Sequence, residues 1–190
     1  MRTPALLTFL LLFIFSEAKA QHQYENIASI TEYLDQSGLE YDKKDIAVFS
    51  IFDAWVKAMK IDKKNEFPDV FFFNTEGKSV KLRGYLCSQT INNIENIGKS
   101  KVNKKEEDAD WWFTYMTYAE EDPNRFVKPY DGYIIIAWTK MVPKEMNETA
   151  FKWYTSVKKK NNPNIKVFLL SFDIMDFWEI SDANKKALGL

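Results

Sequence analysis

Two near-continuous apolar runs, YIIIAW at 133–138 and IKVFLLSF at 165–172, form the strongest pattern in the chain. Runs without polar alternation suit strands covered on both faces, the habit of parallel strands joined by a crossover helix. Between them, residues 139–143 carry a turn signal, and Met146, Ala150, Trp153 and Val157 then recur at helical spacing on one face. Lys158, Lys159 and Lys160 end that helix where its dipole favours cations, and Asn161, Asn162 and Pro163 stop it. The pattern predicts a strand-helix-strand unit with a parallel strand pair.

The same reading extends along the chain. Ile27, Ile30, Tyr33 and Leu34 predict a first helix that Ser37 and Gly38 close. IAVFSIF at 46–52 reads as a short buried strand, with Asp53 capping the AWVKAMK helix after it. DVFFF and SVKLRG flank Asn74, Thr75, Glu76, Gly77 and Lys78, a loop of the length and glycine content of an antiparallel hairpin. Ile91, Ile94 and Ile97 space the ridge of another helix, closed by Gly98. The run KSKVNKKEEDAD reads as a solvated loop, because its charges cancel. Ala109, Trp112, Phe113, Met116 and Ala119 then share one helical face that Pro123 ends, and a short helix or tail occupies 175–188. Together these elements predict a single α/β domain: a mixed five-stranded sheet of residues 46–52, 69–73, 79–83, 133–138 and 165–172, with helices on both faces. A flavodoxin-like layering of the same elements is the alternative.

The N-terminus changes the boundaries. Arg2, an apolar run at 6–15, and Ala18 and Ala20 around Lys19 read as a secretory signal peptide of residues 1–20, cleaved after Ala20. The expected mature domain is 21–190, secreted or periplasmic. The signal peptide's apolar run is too short for an ordinary spanning helix, and nothing later approaches the ~20 apolar residues a span needs. Removing Arg2, Lys19 and Glu17 takes away one net positive charge, so the formal −1 becomes about −2, with both signs interspersed. That balance suggests neither nucleic acid nor an anionic membrane as partner. Only Cys87 and His22 represent their residue types. An intramolecular disulfide, a paired-cysteine motif, a histidine triad and a haem or zinc site are therefore not expected, and no cofactor or metal is implied.

Two segments resemble the thioredoxin-like fold, in particular its exported, redox-linked branch. FPDVFFFNTEGKSVKLRG is similar to that family's proline, strand, glycine turn and strand, and YIIIAWTKMVPKEMNETAFKWY with IKVFLLSFD is similar to its strand, tryptophan, active-site turn, long helix and next strand. The two stand in permuted order, and where the family carries paired cysteines this chain has Lys140, Met141, Val142 and Pro143. The resemblance implies position without dithiol chemistry. The turn after Trp138 would meet the loop ahead of Pro68 at the sheet end where the family binds extended polypeptide, and the family's proline there is cis.

The expected function is an exported non-redox thioredoxin-like module, a binding protein for a protein or peptide through Trp138, Met141 and Pro68. A single-cysteine thiol enzyme, a peroxidase or thiol transferase, is one alternative: Cys87 precedes a helix opened by Ser88 and Thr90, and a helix N-terminus stabilises a thiolate. An aromatic-rich carbohydrate-binding protein is the other, carried by the WWFTYMTY run, although helical spacing puts several of those rings on a core face. Asp173, Asp176 and Glu179 stand at a strand's carboxyl end, where α/β folds place ligands, and read as solvated carboxylates.

Overall fold

A computed structural model describes residues 24–61, 67–81, 94–103, 107–126 and 130–190. The predicted strand-helix-strand unit is its centre. β6 (Gly132–Trp138) and β7 (Ile165–Ser171) pair in parallel, Ile134 beside Val167 and Trp138 beside Ser171. α4 (Lys144–Lys159) crosses between them. The helix buries Asn147, Ala150, Phe151, Tyr154 and Val157, so the expected face is rotated by about one residue: Met146 is exposed and Trp153 half-buried.

Around this unit the sheet is ordered β2 (Asp69–Asn74), β6, β7, β1 (Ile46–Phe49), β5 (Met116–Tyr118). β1 (Ile46–Phe49) is parallel to β7, and β2 (Asp69–Asn74) is antiparallel to β6. Three parallel inner strands thus lie between antiparallel edges, and the inner strands are the most apolar ones, as burial on both faces requires. α1 (Ile27–Gln36) opens on a reciprocal capping box, Asn26 accepting from the Ser29 N–H at 2.9 Å and Ser29 Oγ from the Asn26 N–H at 3.0 Å. Its Tyr33 stacks on Trp138 on the α4 side of the sheet. The opposite face carries Trp112 of α3 (Ala109–Thr114) against Phe49, Phe71 and Phe73. α2 (Phe52–Ile61) lies on this side too, Lys57 pairing with Glu107 and standing over the Trp111 ring. The chain ends in α5 (Asp182–Leu188), capped by Ser181.

The fifth strand is not the expected one. The helix predicted to run from Ala109 through Ala119 stops at Thr114, and β5 (Met116–Tyr118) instead pairs antiparallel with β1. All four β1 residues are buried, so their outer edge needs a hydrogen-bonding partner, and the short stretch Met-Thr-Tyr supplies it. The second hairpin strand leaves the sheet: after an antiparallel bridge between Phe73 and Ser79, β3 (Val80–Lys81) pairs with β4 (Lys101–Val102), inside the charge run expected to be loop. The hairpin turn is as predicted. Asn74 Oδ1 accepts from the Glu76 and Lys78 N–H groups at 3.1 and 2.8 Å, and Gly77 takes φ +72°, which glycine adopts without a side-chain clash. Ile94 and Ile97 are buried in a 3-10 turn (Ile94–Lys99) that contains Gly98, where a helix closed by Gly98 was expected. The signal-peptide residues, His22, Arg83, Cys87 and Ile91 lie outside the described residues.

Candidate functional site

The register fixes what meets at the carboxyl end of the inner strands. Asp69 pairs with Ala137 and Trp138 with Ser171, so Pro68, the turn after Trp138 and the segment after Ser171 converge there. The peptide bond between Phe67 and Pro68 is cis. Phe67 packs edge-on against Phe172, with ring centroids 5.1 Å apart, and Pro68 is half-buried.

Trp138, expected at this surface, is fully buried. Even-numbered β6 residues face α1 and α4, so its indole goes inward, stacked on Tyr33 at 5.6 Å and edge-on to Phe151 at 5.4 Å. That corrects the expected surface: the ring supports the turn from beneath and is not an exposed anchor. Met141, two residues past Thr139, is 44% exposed at the tip of the turn.

What holds the turn is Asp173. Its carboxylate, 2% exposed, accepts from Thr139 Oγ at 2.9 Å, from the Lys140 N–H at 2.9 and 3.2 Å through its two oxygens, and from Ser171 Oγ at 2.6 Å. Thr139 Oγ in turn accepts from the Met141 N–H at 3.2 Å. Burial pushes the Asp173 carboxyl above its ordinary range; the hydrogen bonds from Ser171, Thr139 and Lys140 oppose that, and the charge of Glu25 adds to it. Asp176 and Glu179, expected to be solvated like Asp173, are exposed, whereas Asp173 is turned in.

A second layer surrounds this carboxylate. Glu25 pairs with Lys140 at 2.6 Å and accepts from Ser29 Oγ at 2.6 Å, and its backbone joins the sheet end through a parallel bridge to Met175. Asn147 donates to the Thr139 carbonyl at 2.9 Å and to the Tyr33 hydroxyl at 3.0 Å. Sequence reading missed Glu25, Tyr33 and Asn147. Asn147 alone left a signal, a polar residue three positions before Ala150 on an apolar helix face.

Exposed large apolar side chains gather at this end. Of the seven among the described residues, Tyr24, Ile51, Met141, Met146 and Phe177 all belong to segments at the carboxyl ends of β1, β6 and β7; Val102 and Phe126 lie elsewhere. Among the described residues no cluster of three or more histidine, cysteine or carboxylate side chains could hold a metal ion, and no helix is long and apolar enough to cross a membrane. The WWFTYMTY rings divide: Trp112 is buried in the core and Trp111 half-buried under Lys57. No protein-family model, curated protein or solved structure matches the chain.

Proposed function

We propose that this chain is an exported, non-redox module of thioredoxin-like type that binds an extended segment of a protein partner at the carboxyl end of its sheet. The gathering of five exposed apolar side chains there, over a turn fixed by a buried carboxylate, carries this reading. Exposed apolar groups concentrated in one place mark an interaction surface, whereas scattered ones need no explanation. A turn already ordered by Asp173 loses little conformational freedom when a partner settles on it. The neighbour relationships support the thioredoxin-like part: the strand opened by Pro68 runs antiparallel beside β6, and β6, α4 and β7 form a parallel unit with Met141 in the turn between strand and helix. At the positions of that family's paired cysteines stand residues without redox chemistry, so binding is what the site retains.

Immobilised extended peptides of varied sequence, presented to the purified chain, test this. Wild type should bind a subset rich in apolar residues, and Met141→Glu should weaken capture by about 2 kcal/mol if Met141 is a central anchor. The melting temperature of Met141→Glu should stay near wild type, since the side chain is exposed; Trp138→Ala should instead lose fold stability. Unchanged capture by a folded Met141→Glu, Phe177→Glu double variant would remove this surface. Export is checked separately, by whether the extracytoplasmic protein begins at Gln21.

A further inference from the structure

A second concave feature lies at the opposite end of the sheet. The hairpin turn after β2 and the start of β6 meet there, Asn74 pairing with Gly132, and α3 packs over them. The result is a cleft of about 580 Å³ lined by the rings of Phe113, Phe126 and Tyr133 and by Glu76 and Asp110. That volume lies within the ~300–1,000 Å³ range of small-ligand sites.

The rings form one packed aromatic patch: Phe113 lies 4.7 Å from Phe126 and 5.1 Å from Tyr133, and Phe126 lies 6.4 Å from Tyr133. Phe126 is 46% exposed although three rings, Phe113, Tyr133 and Phe168, lie within 6.4 Å of it. Neither carboxylate forms an ion pair or side-chain hydrogen bond among the described residues. Lys78 is the cation near them, and its ammonium donates to Asp108. The cleft thus combines aromatic faces, whose quadrupole attracts cations, with two carboxylates that among the described residues have no salt-bridge partner of their own.

We propose that this cleft binds an alkylated ammonium group, a quaternary amine carried by a small molecule or a side chain. A metal ion would need more oxygen ligands than two carboxylates supply. A primary ammonium is strongly hydrated and would give up hydrogen bonds to water on settling against the rings. A quaternary ammonium has no N–H to leave unsatisfied, and its methyl groups bury against Phe113, Phe126 and Tyr133 while Glu76 and Asp110 complement its charge. This site is independent of the peptide-binding reading.

The test titrates the full mature chain with choline and, separately, with 3,3-dimethylbutan-1-ol, its neutral carbon isostere, by calorimetry and two-dimensional NMR. Choline should bind saturably and at least about tenfold more tightly than the alcohol, as a desolvated cation on aromatic faces implies. Asp110→Asn and Glu76→Gln should each weaken choline several-fold with the alcohol unaffected, and Phe126→Ala should weaken both. Should Phe126→Ala misfold, Phe126→Leu keeps the packing and removes only the aromatic face, so choline affinity alone should fall. Equal affinity for choline and alcohol, absence of saturation up to about 50 mM, or binding unchanged in the Asp110→Asn, Glu76→Gln double variant would each overturn the proposal.

Discussion

Replacing Asp173 by alanine and by asparagine separates what its shape does from what its charge does. Alanine removes the acceptors of the Lys140 N–H and of the Thr139 and Ser171 hydroxyls. An unsatisfied buried N–H costs about 1–3 kcal/mol, and two hydroxyls forced to re-aim add about 1 kcal/mol more. Relief of the desolvated carboxylate offsets part of this, which leaves an expected net loss of about 2–3 kcal/mol at pH 7. Asparagine keeps one oxygen for Thr139 and Lys140 and can donate to Ser171 Oγ, so its cost should stay within about 1 kcal/mol.

The charge shows in the pH profile. Folding raises the Asp173 pKa above 3.8, so the folded chain holds this proton more tightly than the unfolded one. The contribution is therefore fully present below 3.8 and is lost as pH rises through the higher folded value. Stability of wild type minus that of Asp173→Asn should decline as pH rises through this window and then level off. Urea unfolding followed by tryptophan fluorescence from pH 3 to 8 reads both effects, and subtraction cancels the carboxylates common to the two proteins. Parallel profiles for wild type and Asp173→Asn, or an alanine cost below about 1 kcal/mol, would refute the reasoning.

Gly132→Ala should lower stability by about 1–3 kcal/mol in the same assay, because a Cβ there would stand 2.5 Å from Ile97 Cγ2 and 2.7 Å from the Phe73 carbonyl oxygen; Ile97→Ala in that background should not restore it, since the backbone clash remains. Asp45 is 1% exposed and accepts from Tyr154, Lys158 and Lys166, so Asp45→Ala should cost about 2–3 kcal/mol, less than a fully buried broken pair because Lys158 is half exposed. Met141→Glu and Asp110→Asn should be additive in stability within about 0.5 kcal/mol, measured by unfolding of the single and double variants.

The strand-helix-strand unit could be read from sequence because burial on both faces leaves a long apolar run, a signal that survives without knowledge of partners. The face of α4 was read one residue off because periodicity counts polarity alone. Tyr154 and Asn147 are polar and buried, the Tyr154 hydroxyl donating to Asp45 and the Asn147 amide nitrogen to Thr139 and Tyr33, while Met146 is apolar and exposed. β5 could not be read: three residues are too few for a period, and their strand conformation follows from the open edge of β1. The exchange of β3 for β5 in the main sheet has the same origin, since pairing partners are chosen in space. At the site, Pro68, Met141 and the carboxylate at the end of β7 were visible as positions. The burial of Trp138 follows only from the parity of β6 against α1, and the Glu25–Lys140 pair joins residues more than a hundred positions apart.

Asp173 also bears on the binding proposed for this end of the sheet. A buried carboxylate is a poor source of stability, since apolar residues of similar volume often serve as well or better. What it supplies is a single conformation: one group accepts from a backbone N–H of the turn, from the hydroxyl that itself accepts from the Met141 N–H, and from the strand beside it. An apolar filler could occupy the space but could not fix the direction of those donors. Met141 is thus presented from a rigid base, and Trp138, packed between Tyr33 and Phe151, braces that base from below. The cleft at the other end is built differently, from a packed aromatic patch and exposed carboxylates, and the seven residues of β6 separate the two by about 20 Å at ~3.3 Å per residue. Under the two proposals one surface reads shape and the other charge, and the rigid turn stands where a partner's backbone would be read.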